Sequence, residues 1–234
     1  MKNILMTWLV AILAIAGADR LHGQIEVEFD SQTVTVGAQA TFTASIVSLS
    51  GSEILTAYNL PVDVGADGFG MPAGVSIVSI DNLNSTFANF NSSPAPGAPF
   101  NFDVGTSDSD AVGVGLSASP VNLFSVTIQI DPSFPITQFE LGFQDSPTPN
   151  PGLFAFTLDG GTFNAVDTVM AGTITTRPLI KGDVNLDGIV NLLDVLPFIN
   201  VVGSGEFQIE ADTNCDGELN LLDVQPFIAI VSGG

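Results

Sequence analysis

The chain has 234 residues, 45% of them hydrophobic, and its 25 acidic side chains against 4 basic ones give a formal net charge of −21. No Lys or Arg occurs between Leu21 and Thr176. Nucleic acids and anionic membrane surfaces are bound through clusters of basic side chains, so this composition argues against both classes of partner. The length accommodates one medium and one small domain, and the apolar fraction suffices for a buried core.

The first segment has the pattern of a secretory signal peptide. Lys2 provides a basic start, an apolar run extends from Ile4 to Ala16, and Ala16-Gly17-Ala18 forms a small-x-small site. The run is shorter than the ~20 residues that a spanning helix needs. We therefore expect residues 1–23 to be removed on export, and the mature protein to be secreted or displayed at the cell surface without a membrane span.

Residues 24–176 predict an antiparallel β-sandwich. Apolar and polar side chains alternate there over many short runs, such as Ile25 to Phe29 and Phe124 to Ile130, with Gly, Pro, Asn and Asp between them. About nine to eleven such runs indicate a sandwich or jelly roll, because each run has the length and period of one strand. Two Pro-rich segments, 91–99 and 145–152, interrupt the pattern and predict surface loops, because Pro disfavours central strands.

The predicted sandwich lacks the residue sets of common catalytic sites. A Ser or Cys nucleophile needs a base, but no His follows His22 and no Lys precedes Lys181 in the mature region. The mature chain has no Trp and only Tyr58 to stack on a sugar, and the acidic cluster at residues 103–110 has no Trp, Tyr or Arg neighbour. We therefore expect a protein that is not an enzyme. Carbohydrate binding or glycoside hydrolysis, as part of an extracellular polysaccharide-degrading system, stays open as the alternative.

Two twelve-residue segments near the C-terminus repeat one pattern of oxygen-bearing side chains. Residues 183–194 and 212–223 both read D-x-N-x-D-G-x-x-N-x-x-D, and each is followed by an apolar run. Oxygen ligands at positions 1, 3, 5, 9 and 12 and Gly at position 6 are what a calcium loop needs, because Ca²⁺ takes six to eight oxygens and the Gly permits a sharp turn. Two copies in register therefore predict two calcium sites.

Residues 180–231 resemble a type I dockerin. The likeness follows the family's loop from Gly182-Asp183 to Asp194 and again from Ala211-Asp212 to Asp223, with Asp at position 12 where ordinary EF-hands have Glu. It implies a small helical dockerin module at 182–234, joined by a linker at 177–181, that binds two calcium ions and docks to a cohesin-type protein domain.

The sandwich resembles the cohesin-like family. The opening stretch with Val34-Thr-Val-Gly37 is similar to the start of that family, and Ala171-Gly-Thr-Ile174 is similar to its closing strand. The sandwich of another copy is therefore a second candidate partner for the dockerin module.

The dockerin resemblance assigns a ligand to each loop position. The expected ligands are Asp183, Asn185, Asp187, the Ile189 carbonyl, Asn191 and Asp194 in the first loop, and Asp212, Asn214, Asp216, the Glu218 carbonyl, Asn220 and Asp223 in the second. The last Asp of each loop would bind through both oxygens. Three ligand carboxylates in each site repel one another without metal, so we predict that the module folds only with calcium.

Loop positions 10 and 11 are Leu192-Leu193 and Leu221-Leu222. Dockerins often contact their partner through these positions, where the typical type I pair is polar, so the resemblance implies partner binding here by a different chemistry. The four leucines either form an apolar docking face or are buried within the module or against its own sandwich. The sequence leaves these alternatives open.

The apolar run after each loop predicts an amphipathic helix. Its buried face comprises Val195, Phe198 and Val202 in the first repeat and Val224, Phe227 and Val231 in the second. Pro197 and Pro226 occupy equivalent places, so either each helix begins near the last Asp of its loop or both helices kink.

Overall fold

The fold consists of many short strands followed by two short helices. The computed structural model describes residues 25–48, 53–65, 71–87, 89–94, 102–107, 113–143, 155–158, 161–163 and 168–233. The strands are Ile25–Phe29 (β1), Gln32–Thr35 (β2), Gln39–Ser48 (β3), Ile54–Val64 (β4), Val75–Asn82 (β5), Asn91–Pro94 (β6), Phe102–Ser107 (β7), Val114–Gly115 (β8), Val121–Ile130 (β9), Gln138–Phe143 (β10), Ala155–Leu158 (β11), Gly161–Phe163 (β12), Thr168–Met170 (β13) and Gly172–Arg177 (β14). The helices are Val195–Ser204 (α1) and Val224–Val231 (α2), preceded by single 3-10 turns at Leu192–Asp194 and Leu221–Asp223.

The strands form two sheets. The first has five strands in the order β13-β1-β3-β9-β5, and the second has nine, with the path β12-β11-β4-β10-β14-β2 and with β6, β7 and β8 beside it. All described pairs are antiparallel except β1 with β13 and β14 with β2. The predicted mainly antiparallel β-sandwich with a small helical C-terminal module is therefore confirmed.

The core lies between the two sheets. Along β1, Ile25, Val27 and Phe29 are buried while the glutamates between them are partly exposed, as the period of two requires. Phe29 stacks on Phe143 with ring centroids 4.7 Å apart and meets Phe124 edge-on at 5.9 Å. Phe29 on β1 and Phe124 on β9 belong to the first sheet, and Phe143 on β10 belongs to the second. The aromatic cluster therefore joins the two layers.

One predicted loop is in part a strand. Residues 91–94 form β6, which among the described strands pairs only with β7 and therefore lies at an edge. Pro94 is the last residue of β6. Because no described strand lies on the other side of β6, the missing backbone amide of Pro94 removes no hydrogen bond to a second strand. Short strands such as β6, β8, β12 and β13 carry no long apolar alternation, which is why the structure has more strands than the sequence pattern predicts. The second predicted loop, 145–152, lies outside the described residues.

Tyr58 is buried on β4 and is not available as a sugar-stacking platform. Its side chain is 2% exposed and meets Phe87 edge-on at 5.4 Å. Burial raises the pKa of its phenol above the usual range. The hydroxyl has no hydrogen-bond partner within the part of the chain that the structure describes.

We expect Tyr58→Phe to leave the sandwich as stable as the original protein or to raise its free energy of unfolding by ~1 kcal/mol, because an unsatisfied buried polar group costs ~1–3 kcal/mol. Urea unfolding followed by β-sheet circular dichroism measures the change. Tyr58→Ala is the matched control and should lose ~3–5 kcal/mol through the cavity it leaves. A clear loss of stability in Tyr58→Phe would show that the hydroxyl is hydrogen-bonded.

The C-terminal module follows the sandwich without a free linker. Strand β14 ends at Arg177, one residue inside the predicted linker, and Leu179 packs against the sandwich core. The domain boundaries remain predictions, and residues 1–23 lie outside the described part of the chain. No helix among the described residues is long and apolar enough to cross a membrane.

Candidate calcium loops and an exposed leucine face

The first loop is closed by the acids at its two ends. Asp194 Oδ1 accepts from the amide of Asn185 at 3.0 Å, and Oδ2 accepts from the amide of Asn191 at 2.8 Å. Asp183 Oδ2 accepts from the amide of Gly188 at 2.9 Å. Asp183 and Asp194 are 4% and 0% exposed, so both carboxylates are held inside the loop rather than at its surface.

The second loop repeats this geometry. Asp223 Oδ1 accepts from the amide of Asn214 at 3.2 Å, and Oδ2 accepts from the amide of Asn220 at 2.9 Å. Asp212 Oδ2 accepts from the amide of Gly217 at 3.3 Å. Asp212 and Asp223 are as buried as their counterparts. The repeat seen in the sequence is thus a repeat of backbone conformation as well.

The two middle ligand positions lie nearer the surface. The side-chain amide of Asn185 donates to Asp187 Oδ2 at 3.0 Å, and that of Asn214 donates to Asp216 Oδ2 at 2.8 Å. Both aspartates are exposed. Each loop therefore has two buried carboxylates at its ends and a third at its mouth.

A left-handed turn shapes each loop between its third and sixth positions. Leu186 has φ 66° and Cys215 has φ 63°, and Gly188 and Gly217 follow with φ 88° and 83°. The left-handed region costs a residue with a side chain ~1–2 kcal/mol. The Gly at position 6 was expected to turn the chain, but the strained residue at position 4 was not, since a Leu and a Cys carry no sequence signal for a positive φ.

Asn191, at position 9 of the first loop, caps the 3-10 turn that follows it. Its Oδ1 accepts from the amide of Leu193 at 2.7 Å, and Asp194 completes a capping box. Helix α1 then begins at Val195, so Pro197 is its third residue. The first four amides of a helix have no intrahelical partner, and Pro therefore removes no bond there. The second repeat has the same arrangement at Pro226, so the predicted helices begin late rather than kink.

The residues present fit a calcium ion. Asp212 Oδ1 is buried and has no hydrogen-bond partner among the described residues. A buried carboxylate oxygen without a donor is costly, and a cation would compensate it. The ammonium of Lys181 lies 3.8 Å from the other oxygen, Asp212 Oδ2. Hard oxygen donors of the kind that each loop presents are what Ca²⁺ prefers.

Carboxylates alone do not complete either site. No group of three or more His, Cys, Asp or Glu side chains converges as a metal cluster in the described part of the chain. An ion would therefore depend on the amide oxygens and a backbone carbonyl as well. Of these, the carbonyl of Ile189 accepts from Asn191 Nδ2 at 3.3 Å, which places it beside the other donors of the first loop.

The two helices pack through a pair of stacked rings. Phe198 and Phe227 occupy equivalent positions, and their centroids are 3.9 Å apart with an interplanar angle of 5°. Val184 and Ala211 complete the buried centre, and the valines predicted to lie on the inner helix faces pack around it. The predicted packing of the two repeats is confirmed.

The four leucines of loop positions 10 and 11 lie on the surface. Leu192 and Leu221 are each 78% exposed, and Leu193 and Leu222 are each 68% exposed. Leu196 on α1 is also exposed, at 66%. The alternative of burial within the module or against its own sandwich is therefore wrong. The 3-10 turn directs Asp194 and Asp223 into the loops, which leaves the two preceding leucines facing outwards.

Comparison with known proteins gives a family match for the C-terminal segment and a likeness of fold for the sandwich. Residues 181–230 match the family model for the dockerin type I domain. No curated protein matches the chain. Solved structures are similar in fold, and the first is the sixth cohesin of Acetivibrio cellulolyticus scaffoldin B in complex with a Cel5 dockerin mutant. That match has a TM-score of 0.50 and 12% identity, and covers 66% of this chain and 99% of that one.

A second similar structure is the Coh-OlpA-Doc918 complex, a type I cohesin–dockerin complex from Clostridium thermocellum. The TM-score is 0.51 at 8% identity, with 66% of this chain and 99% of that chain covered. At these identities the likeness is one of fold. The chain thus combines a β-sandwich with the fold found in cohesin structures and, at residues 181–230, a segment that matches the type I dockerin family.

Proposed function

We propose that this protein is a secreted, calcium-dependent docking protein. Its C-terminal module binds two calcium ions, docks to a cohesin-type domain and displays the β-sandwich on that partner. The observation that carries the proposal is the match of residues 181–230 to the dockerin type I model, a family whose domains bind calcium. The oxygen donors of the two loops support calcium as the ion, because they are numerous, hard and partly uncompensated.

The leucine face, defined as Leu192, Leu193, Leu221 and Leu222, is the proposed contact with the partner. Each repeat exposes a pair of adjacent leucines, and exposed apolar patches mark interaction sites. The module from Gly182 onwards contains no Lys or Arg. The partner surface that fits is therefore an apolar recess, and basic side chains around its rim would complement the acidic loops.

We expect replacement of all four leucines by Ala to weaken binding to a cohesin domain at least 100-fold, because central apolar contacts of an interface cost ~1–2 kcal/mol each on truncation. Surface plasmon resonance of the full-length protein against a panel of immobilised cohesin domains, in calcium and in chelator, measures it. Leu83→Ala is the matched control, since Leu83 is an exposed leucine of the sandwich at 45% exposure. Equal binding by the quadruple variant and the original protein would refute the leucine face.

A neighbouring copy is the other partner to test. Analytical ultracentrifugation of the full-length protein with calcium and with chelator distinguishes another copy from a separate cohesin domain as the partner. Calcium-dependent self-association favours the sandwich of another copy. A monomer in both conditions favours a separate cohesin. Assays on a panel of polysaccharides address the carbohydrate alternative, and binding or release of reducing sugar would support it.

A further inference from the structure

A buried polar cluster joins the C-terminal module to the edge of the sandwich. Glu210, in the segment between α1 and the second loop, is 4% exposed, and Thr35 on β2 is 3% exposed. The Thr35 hydroxyl donates to Glu210 Oε1. Arg177, at the end of β14, donates from Nε to Thr35 Oγ1 at 2.9 Å and from Nη2 to Glu210 Oε1 at 3.4 Å.

The segment between α1 and the second loop is hydrogen-bonded to the residues that precede the first loop, and it leads directly into the second loop. The carbonyl of Glu210 accepts from the amide of Gly182 at 2.8 Å, one residue before the first ligand of the first loop. Lys181 Nζ donates to the carbonyl of Ile209 at 2.9 Å and to the carbonyl of Asp212. Glu210 therefore lies two residues from the first ligand of the second loop and contacts the sandwich with its side chain.

Close packing accompanies the polar contacts. Gly37 follows β2 with φ 88°, and a Cβ there would lie 3.1 Å from Ile209 Cδ1. The Val36 amide donates to the Arg177 carbonyl at 3.0 Å, which holds the β2 end against the start of the linker. The contact thus leaves little room for the module to rotate while Glu210 and Ile209 keep these positions.

We propose that calcium binding at the second loop and seating of the module on the β2 edge are coupled through Glu210, so that calcium fixes the orientation of the two domains. The inference rests on the calcium binding of the proposed function. The backbone of residues 208–212 turns as one unit, with the amides of Ala211 and Asp212 both donating to the carbonyl of Gln208. An ion held by Asp212 would fix the conformation of residues 208–212. This backbone conformation places the Glu210 carboxylate against Thr35.

Coupling between two sites is reciprocal. If calcium favours contact between the module and the β2 edge, then loss of that contact must weaken calcium binding by the factor by which calcium strengthens the contact. Thr35→Val tests this sharply, because it removes a hydroxyl of the sandwich without changing any charge near the loops. Thr33→Val is the matched control, since Thr33 is an exposed residue of the same strand.

We expect Thr35→Val in the full-length protein to lower at least one of the two calcium affinities about five-fold or more, within the range typical of coupled sites, when measured by titration calorimetry. Thr33→Val should leave both affinities unchanged. Glu210→Gln should act like Thr35→Val, whereas Glu206→Gln, at an exposed acid of the same inter-repeat segment, should have a much smaller effect.

Hydrogen–deuterium exchange supplies a second readout. In the original protein, calcium should protect the peptides that cover residues 32–38 and 177–182, and Thr35→Val should abolish this protection while β3 and β9 exchange as before. Unchanged calcium affinities in both Thr35→Val and Glu210→Gln would overturn the coupling and leave the proposed function intact. Absence of calcium binding by the original protein would overturn both.

Discussion

Removal of calcium with a chelator is expected to unfold residues 182–233 and to leave the sandwich folded. The buried apolar centre of the module consists of only four residues, Val184, Phe198, Ala211 and Phe227. So small a core rarely supports folding alone, and binding energy then becomes folding energy. An ion present at a thousand times its dissociation constant would contribute ~4 kcal/mol for each site. Loss of helical circular dichroism with retention of the β signal is the expected result.

Unchanged helix content after complete chelation would contradict this dependence on calcium. Variants of the buried acids sharpen the experiment. Asp194→Ala and Asp223→Ala should each weaken calcium binding on the order of 100-fold or more, because even residues outside the first coordination shell cost ~10–100-fold. Glu206→Ala is the control, since Glu206 is an exposed acid outside both loops. Equal affinities in all three variants would exclude the two aspartates as ligands.

Phe198→Ala is expected to destabilise the module by ~3–5 kcal/mol at saturating calcium, the usual cost of removing a buried aromatic ring. Phe198 is 3% exposed and stacks on Phe227, which is its counterpart in the other repeat. Its removal leaves a cavity between the helices at their main contact. Because domains are stable by only ~5–15 kcal/mol, much of the module should be unfolded at 37 °C. Thermal unfolding followed by helical circular dichroism measures the shift.

Two variants control for this result. Phe198→Leu keeps an apolar side chain and should lose less stability than Phe198→Ala. Ile199→Ala changes the adjacent residue, which is 59% exposed, and should stay within ~0.5 kcal/mol of the original protein. If Phe198→Ala and Ile199→Ala melted together, the ring stack would not be the main packing contact of the module.

Local patterns predicted the helices and the loop repeat of the module. The expected calcium ligands of each loop fall within twelve consecutive residues, so their spacing indicates which oxygens could meet around one ion. The helix faces were predictable for the same reason, since Val195, Phe198 and Val202 recur at helical spacing. The conformation of Leu186 escaped prediction, because its positive φ is imposed by the closure of the loop rather than by its own side chain.

The sequence predicted which segments are strands better than it predicted which strands pair. Alternation along Ile25 to Phe29 indicates a half-buried strand but does not say which strand lies beside it. The parallel pairing of β1 with β13 joins residues far apart in the chain, and no local signal encodes it. The edge position of β6 likewise depends on β7, which supplies its only partner among the described strands.

The sequence by itself determined the class of the sandwich, the two loops with their oxygen donors, and the match of the C-terminal segment to the dockerin family, because each rests on residues close together in the chain. Only the tertiary structure decided that the leucine face is open and that Glu210 meets Thr35, 175 residues away. The exposure of the leucines and the contact between Glu210 and Thr35 both depend on how the module packs in the folded protein. Contacts of that separation leave no periodicity in the sequence from which to predict them.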